Sequence, residues 1–199
     1  MHSCINSDMI CKKLSFARQR MCELEPLAAG EFTNDLSAMK HQLVQEYFFH
    51  LIGAVDYASQ YINNKLDFGI AIDDVKVWRI IKKLKGNDKY KALSEALCDI
   101  YTETDQVKKM PRDPYLPKSL IWRAYKYRHR VTHWGFNSFI YKVYLGSRNV
   151  QPEICLPLDI YADNPIPSNY SIMEDLEAMY EYFYQGCMKV VSLTDQLVQ

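Results

Sequence analysis

The chain has 199 residues, of which 48% are hydrophobic and 24% charged, and its formal net charge at pH 7 is zero. These proportions are typical of one globular domain with a substantial core, and we expect no second domain. The longest strongly apolar run, Tyr47 to Val55, is interrupted by His50 and is too short to cross a bilayer.

The start of the chain and its cysteines indicate the compartment. No apolar stretch follows a basic start at the N-terminus, so we expect a cytoplasmic protein with no membrane partner. The six cysteines form neither a C-x-x-C pair nor a zinc-knuckle spacing. This pattern favours reduced thiols over a disulfide framework.

The zero net charge hides a basic middle. Residues 76–130 contain fifteen Lys or Arg against six Asp or Glu, whereas residues 151–199 contain one against eight. Such a basic segment is typical of a surface that meets a phosphate backbone. The alternative is that these cations solvate outer helix faces and pair with the acidic C-terminal helix.

Residues 1–30 are interpreted as an N-terminal arm of unknown role, with a short helix near Ser15 to Leu24. Residues 31–199 are predicted to form a single helical domain. Its first element follows the capping residues Thr33-Asn34-Asp35 and runs to about Asn64. Two apolar stripes predict that this helix is packed on two sides. The stripes are Leu36, Met39, Leu43, Tyr47, Leu51, Ala54, Ala58 and Ile62, and Val44, Phe48, Ile52 and Val55.

Three further helices are predicted before Gly135, where the hydrophobic period changes. Asp73 or Asp74 is expected to cap a helix that runs through Leu84, and another helix covers roughly Asp88 to Thr102. Three prolines follow within residues 111–117, and the next helix begins near Pro117, a residue suited to a first turn.

After Gly135 the hydrophobic period changes from 3.6 to 2, which predicts strands at about 139–145 and 154–161 with a turn at 146–151. Pro157 restricts the second strand to an edge. The capping box Ser171-x-x-Glu174 then opens the last helix. The predicted fold is mainly α, a helical bundle with one β-hairpin at about 137–161 inserted before the C-terminal helix.

The helix that begins near Pro117 carries two arginines and two histidines close together, within Arg128-His129-Arg130-Val131-Thr132-His133. Arg128 is in line with the apolar stripe of this helix, where a guanidinium must find an anion or several carbonyls. His133 lies about 140° further round the helix. Gly135 is placed where the last turn could loosen and let both side chains face one ligand.

The spacing Arg-x4-His, with a polar residue after the arginine and near the end of a helix, resembles the signature of the HEPN superfamily. The segments Ala58 to Lys65 and Val75 to Arg79, and the strand pair after the motif, resemble its Cthe2314-like branch. The resemblance covers roughly residues 35–197. It implies an HEPN-like helical bundle, and many members of this superfamily are metal-independent ribonucleases.

The same resemblance implies catalytic roles for Arg128, His133 and His129. It also implies a homodimer in which two motifs meet at the two-fold interface, and cleavage that leaves a 2′,3′-cyclic phosphate. A toxin or defence effector with a nucleotidyltransferase-like antitoxin partner is the biological setting it suggests. Family members often add a polar group from an earlier helix, for which Glu46, Asp56 and Asn63 are all candidates.

Arginine plus histidine is sufficient for RNA cleavage, because RNA carries its own nucleophile in the ribose 2′-OH. Histidine transfers protons near neutral pH, and arginine stabilises charge on the phosphoryl oxygens. We expect no metal or cofactor, since no glutamate lies between His129 and His133 and two arginines are adjacent. The residues expected to bind RNA are Arg123, Lys126, Arg130, Lys82 and Lys83.

Two functions from different classes stay open. The first is a metal-independent endoribonuclease that acts on single-stranded RNA. The second is a catalytically inactive HEPN-type module that binds RNA or a nucleotide, or serves in a helical assembly. A purely structural interpretation also exists, in which Arg128 bridges backbone carbonyls beside an ordinary histidine at the end of a helix.

Overall fold

A computed structural model describes residues 7–28, 34–102, 113–133, 139–142 and 153–199, with the side chains of 34, 131–133, 141 and 142 left out. Within these ranges the chain forms a mainly helical bundle. Its helices are α1 (Ser7–Ala28), α2 (Asn34–Lys65), α3 (Val77–Leu84), α4 (Lys91–Asp99), α5 (Pro117–His133) and α6 (Ile172–Gln196). Short strands β1 (Ile140–Lys142) and β2 (Glu153–Cys155) precede α6. The predicted fold class is confirmed.

The longest helix, α2, is the centre of the bundle. It extends for about 48 Å at 1.5 Å per residue and packs against α1, α3, α5 and α6. Both predicted stripes are buried from Leu43 to Ile62, whereas Met39, near the start of the helix, is exposed. The helix begins two residues before the predicted start after Asp35 and ends one residue after the predicted Asn64. A helix that is buried on two faces orders the elements around it.

The N-terminal segment differs from its prediction. Helix α1 has 22 residues instead of the ten expected, and it packs on α2 and α6. One of its faces is buried in the common core, at Ile10, Leu14, Ala17, Met21 and Leu24. Ile10 and Leu14 on this buried face belong to the first turns of α1, which precede the helix start predicted at Ser15. Residues 7–28 are therefore part of the bundle and not an arm.

The region of α3 and α4 also differs from its prediction, because two 3₁₀ turns lie beside shorter helices. Neither Asp73 nor Asp74 caps α3, because they lie in a 3₁₀ turn, Ile72–Asp74, and Lys76 is the N-cap. A second 3₁₀ turn, Asp88–Tyr90, precedes α4, which ends at Asp99. The two aspartates belong to the first turn and do not start the helix. The start of α3 was predicted wrongly because the prediction used only the residue type of the cap.

The last helix follows the sequence pattern, whereas the second strand is shorter than the predicted 154–161. It ends at Cys155, since Pro157 cannot donate a hydrogen bond to the ladder, and Ile160 and Tyr161 lie in a turn. Strands β1 and β2 are antiparallel, with Ile140 paired to Cys155 and Lys142 to Glu153. The predicted turn at 146–151 lies outside the described residues. Ser171 and Glu174 form the reciprocal capping box of α6, as predicted. Among the described residues, no helix is both long and apolar enough to cross a membrane.

Helices α4 and α6 approach each other closely at Gly186. A Cβ atom placed on Gly186 would overlap Cγ2 of Ile100, which is fully buried just after α4. Ile100 cannot move away because the core around it is packed. Glycine at this helical position is therefore required by the approach of a neighbouring side chain.

We expect Gly186→Ala to lower the free energy of unfolding by about 1–3 kcal/mol, the usual range for overpacking a core. Gly53→Ala is the matched control, since its Cβ would lie 3.5 Å from Lys13 Cδ, an ordinary contact. That variant should gain up to about 1 kcal/mol from helix propensity. Urea unfolding of both variants measures the difference, and equal stability would contradict the close approach at Gly186.

Candidate functional site

Arg128 reaches from α5 to the middle of α2. Its Nη2 lies 3.4 Å from Oδ2 of Asp56, and the two side chains are 35% and 45% exposed. The predicted stripe of α5 is buried at Leu120, Ile121, Ala124 and Tyr125, and Arg128 continues it at the edge of the core. The anion that a guanidinium at this position requires is thus a carboxylate, in an ion pair that solvent can reach.

The structure distinguishes among the three polar residues of α2 that were considered for the site. Glu46 pairs with Nε of Arg20 at 3.2 Å. The amide group of Asn63 donates to the Ile70 carbonyl and accepts from the Ile70 N–H, which holds the loop after α2. Of the three, Asp56 is the one that contacts Arg128.

Asp56 lies among several cations. Loss of solvent around this carboxyl raises its pKa above the ordinary 3.8, and the charges of Arg128, Lys76 and Lys13 oppose that rise in this order. The positive charges that act on this carboxyl therefore come from three parts of the chain, and Arg128 contacts it directly. A site with more positive than negative groups, of which one is partly desolvated, is suited to bind an anion.

Lys13 comes from α1, the helix that the sequence analysis separated from the domain. Its aliphatic chain crosses α2 at Gly53, where Cδ and Cε would lie 3.5 Å from an added Cβ. Burial lowers the pKa of Lys13, Asp56 acts in the opposite sense and the charge of Arg128 lowers it further. In the sequence Lys13 directly precedes Leu14, which is buried on α1. The helix predicted from Ser15 contained neither residue, so Lys13 was not recognised as a neighbour of the core.

His129 points to a different neighbour from Arg128. Its Nδ1 lies 2.6 Å from the hydroxyl of Tyr161, which follows β2. Lys126 Nζ lies 5.5 Å and the Arg130 guanidinium carbon 5.6 Å from the centre of the Tyr161 ring. Three of the predicted site residues therefore surround Tyr161, a residue that the sequence analysis did not single out.

His133 is the last residue of α5, one turn after His129. Its side chain lies outside the described part of the structure. The helix continues regularly to this residue, so the loosened last turn that was expected before Gly135 does not occur within α5. At 100° per residue, the backbone positions of Arg128 and His133 remain about 140° apart.

Arg123 is not available to RNA. Its two terminal nitrogens donate to Oδ1 and Oδ2 of Asp175 at 2.9 and 2.6 Å, and both side chains are 0% exposed. This pair joins α5 to the first turn of α6. The prediction that Arg123 binds RNA is wrong, because a basic residue was assigned to the surface from its charge alone while the fold buries it beside a carboxylate.

The two predicted RNA-binding lysines of α3 are at the surface. Lys82 and Lys83 are exposed in the last turn of this helix, while Ile81 and Leu84 beside them are buried. Across the described ranges, no group of three or more His, Cys, Asp or Glu side chains is arranged to hold a metal ion.

No protein-family model, curated protein or solved structure matches this chain. The relationship to the HEPN superfamily therefore stays a prediction from the motif and its surroundings.

The buried pair between α5 and α6 should be costly to break. We expect Asp175→Asn to lower the free energy of unfolding by about 3–5 kcal/mol, because it leaves the Arg123 guanidinium buried without a counter-charge. The control is Glu177→Gln at the exposed pair with Arg18, which should cost less than about 1 kcal/mol. Denaturant unfolding tests both variants, and a small loss for Asp175→Asn would mean that water reaches Arg123.

The electrostatics of Asp56 can be measured directly. We expect a carboxyl ¹³C titration to give Asp56 a pKa above 3.8, and Arg128→Ala to raise that pKa further because a stabilising cation is lost. The folded protein then holds this proton more tightly than the unfolded chain. The free energy of unfolding therefore rises as the pH falls from the pKa of the folded state to that of the unfolded state. Arg18→Ala should not change the titration. A fall on Arg128→Ala would contradict the pairing.

Proposed function

We propose that this protein is a metal-independent endoribonuclease of HEPN type that cleaves single-stranded RNA by attack of the ribose 2′-OH. The observation that carries the proposal is the partly exposed Arg128, which pairs with Asp56, a carboxyl that also feels the charges of Lys76 and Lys13. An arginine with this position in the motif and these neighbours is suited to receive a phosphodiester.

Arg128 is the group that stabilises charge on the phosphate. Its planar fork matches two phosphoryl oxygens, and a bidentate pair is stronger than the single 3.4 Å contact it makes with Asp56. In the proposed reaction, Asp56 orients the guanidinium before RNA binds. Phosphate then takes the outer face of the fork, where negative charge grows as the 2′-oxygen attacks phosphorus.

The proton transfers belong to histidine. One base removes the 2′-OH proton, the new O–P bond closes a 2′,3′-cyclic phosphate, and the 5′-oxygen leaves with a proton from an acid. We assign one of these transfers to His133. A second copy of the motif supplies the other, which makes the functional unit a homodimer with a composite site. His129 is hydrogen-bonded to Tyr161. We assign to it the role of holding the substrate, together with Arg130 and Lys126.

The biological role that accompanies this chemistry is that of a toxin or defence effector, with a nucleotidyltransferase-like antitoxin as its partner. Uncontrolled cleavage of cellular RNA is harmful, so a dedicated inhibitor is part of the proposal. Lys82 and Lys83 on α3, and Lys126 and Arg130 on α5, extend the surface on which RNA is bound by charge.

A second candidate is a module that binds RNA without cleaving it. The observation in its favour is Tyr161, which is 39% exposed and has two cations near its ring. Aromatic rings beside cations bind unpaired bases and phosphates without any proton transfer. The two functions differ in what the motif histidine is needed for.

We expect the protein to cleave single-stranded RNA in EDTA and to leave a 2′,3′-cyclic phosphate. His133→Ala should lower turnover by about 10²-fold or more, because a proton-transfer group is lost, while RNA affinity stays nearly unchanged. Arg128→Ala should lower both turnover and affinity. Arg128→Lys should recover little, since an ammonium group cannot bind two oxygens in a planar fork.

The matched control for Arg128→Ala is Arg79→Ala. Arg79 is an exposed arginine of α3 and pairs with Asp74 in the preceding 3₁₀ turn. Its replacement should leave turnover close to that of the unmodified protein. If His133→Ala cleaves at the original rate, the proton-transfer role assigned to His133 is wrong. If the unmodified protein binds RNA without cleaving it and Arg128→Ala weakens that binding, the enzyme is excluded and the binding module is favoured. Activity that requires added metal would contradict the proposed chemistry.

A further inference from the structure

Next to Asp56 and Arg128, helices α1 and α2 present a surface of aromatic rings with one lysine in the middle. We call it the Lys13 surface, and it consists of Lys13, Phe16, Phe49, His50 and Tyr57. Lys13 Nζ lies 4.6 Å from the ring centre of Phe49 and 5.9 Å from that of Tyr57. The rings of Phe16 and His50 lie 5.2 Å apart, centre to centre.

Two of these rings are open to solvent although they are apolar. Phe49 is 52% and Phe16 44% exposed. Phe49, Gly53 and Tyr57 are spaced four residues apart on α2 and therefore share one face of that helix. Because Gly53 has no side chain, Lys13 can lie flat across this face with its ammonium group between the two rings. The fold thus holds a cation and an exposed ring side by side.

The ammonium group of Lys13 is poorly satisfied by the protein. Its nearest polar contact is Nδ1 of His50, at 3.5 Å. No carboxylate among the described residues lies within 4.0 Å of it, and Arg128 adds a second positive charge nearby. A partly buried cation of this kind is stabilised by an anion that comes from outside.

We propose that the Lys13 surface binds the nucleotide adjacent to the phosphate held by Arg128, with Lys13 on its phosphate and Phe49 stacked on its base. The ligand class is single-stranded RNA. An apolar protein partner would cover Phe16 and Phe49 but would bury the Lys13 charge without an anion, at a cost. A nucleotide supplies a flat apolar base and an anion together.

The inference rests on the proposed function, because it extends the same RNA site to a second nucleotide. It adds a binding role for α1 that neither the motif nor the basic middle of the chain contains. Binding and cleavage can be tested separately if the RNA carries 2′-O-methyl riboses, which remove the nucleophile.

The experiment measures fluorescence anisotropy of a short labelled 2′-O-methyl RNA of mixed sequence with the full-length protein. Lys13→Ala should weaken binding and reduce the dependence of log K on log salt by about 0.7 for one lost phosphate contact on a single strand. Phe49→Ala should weaken binding about fivefold or more and leave that salt dependence unchanged, because stacking is not ionic.

Matched controls come from the same helix and from a distant face. Lys12→Ala removes an exposed lysine next to Lys13, and Tyr184→Ala removes a 42% exposed ring on α6. Both should bind RNA like the unmodified protein. Lys13→Arg should keep most of the affinity, and thermal unfolding of each variant identifies any loss that comes from misfolding.

The outcomes separate this inference from the proposed function. If Arg128→Ala weakens binding but Lys13→Ala and Phe49→Ala do not, the Lys13 surface is not part of the RNA site and only this inference is overturned. If the unmodified protein does not bind the RNA, both fail. If Phe49→Ala changes the molar mass in light scattering and not RNA affinity, the surface is a protein interface and the inference is wrong.

Discussion

The buried pair between Arg123 and Asp175 determines how α5 is rotated in the bundle. Both side chains are fully buried and joined by two hydrogen bonds, so α5 must turn this face to the start of α6. Arg128 lies five residues later and about 140° further round, which directs it to α2 and Asp56. Tyr127, whose hydroxyl donates to the Pro157 carbonyl, holds the neighbouring face against the segment after β2. A structural ion pair thereby sets the direction of Arg128.

The two arginines of α5 illustrate how burial changes what a charge can do. Arg123 and its carboxylate are closed to solvent, and opening the pair would expose an uncompensated charge to the core. Arg128 contacts a half-exposed carboxylate at the longer distance of 3.4 Å, and exchanging such a partner for another anion costs less than opening a buried pair. The first arrangement is suited to stability and the second to exchange of anions. The same residue type therefore has two roles on one helix.

Much of the architecture could be predicted from local pattern. The two stripes of α2, the start of α5 at Pro117 and the capping box of α6 each depend on residues close in sequence, and each is present in the structure. The site was predicted less well. Asp56 could not be separated from Glu46 and Asn63, because all three are polar residues on one long helix and only packing decides which of them meets α5.

By itself, the sequence determined the helical class, the position of the hairpin and the Arg-x4-His motif, since periodicity, capping and spacing act over a few residues. Only the tertiary structure decided that α1 belongs to the core, that Lys13 crosses α2 at Gly53, that His129 meets Tyr161 and that Arg123 is buried. These outcomes depend on contacts between residues far apart in sequence, such as His129 with Tyr161, 32 positions apart, and Arg128 with Asp56, 72 positions apart. Such contacts follow from which helix faces pack together, and the charge or polarity of a residue does not reveal its partner across the core.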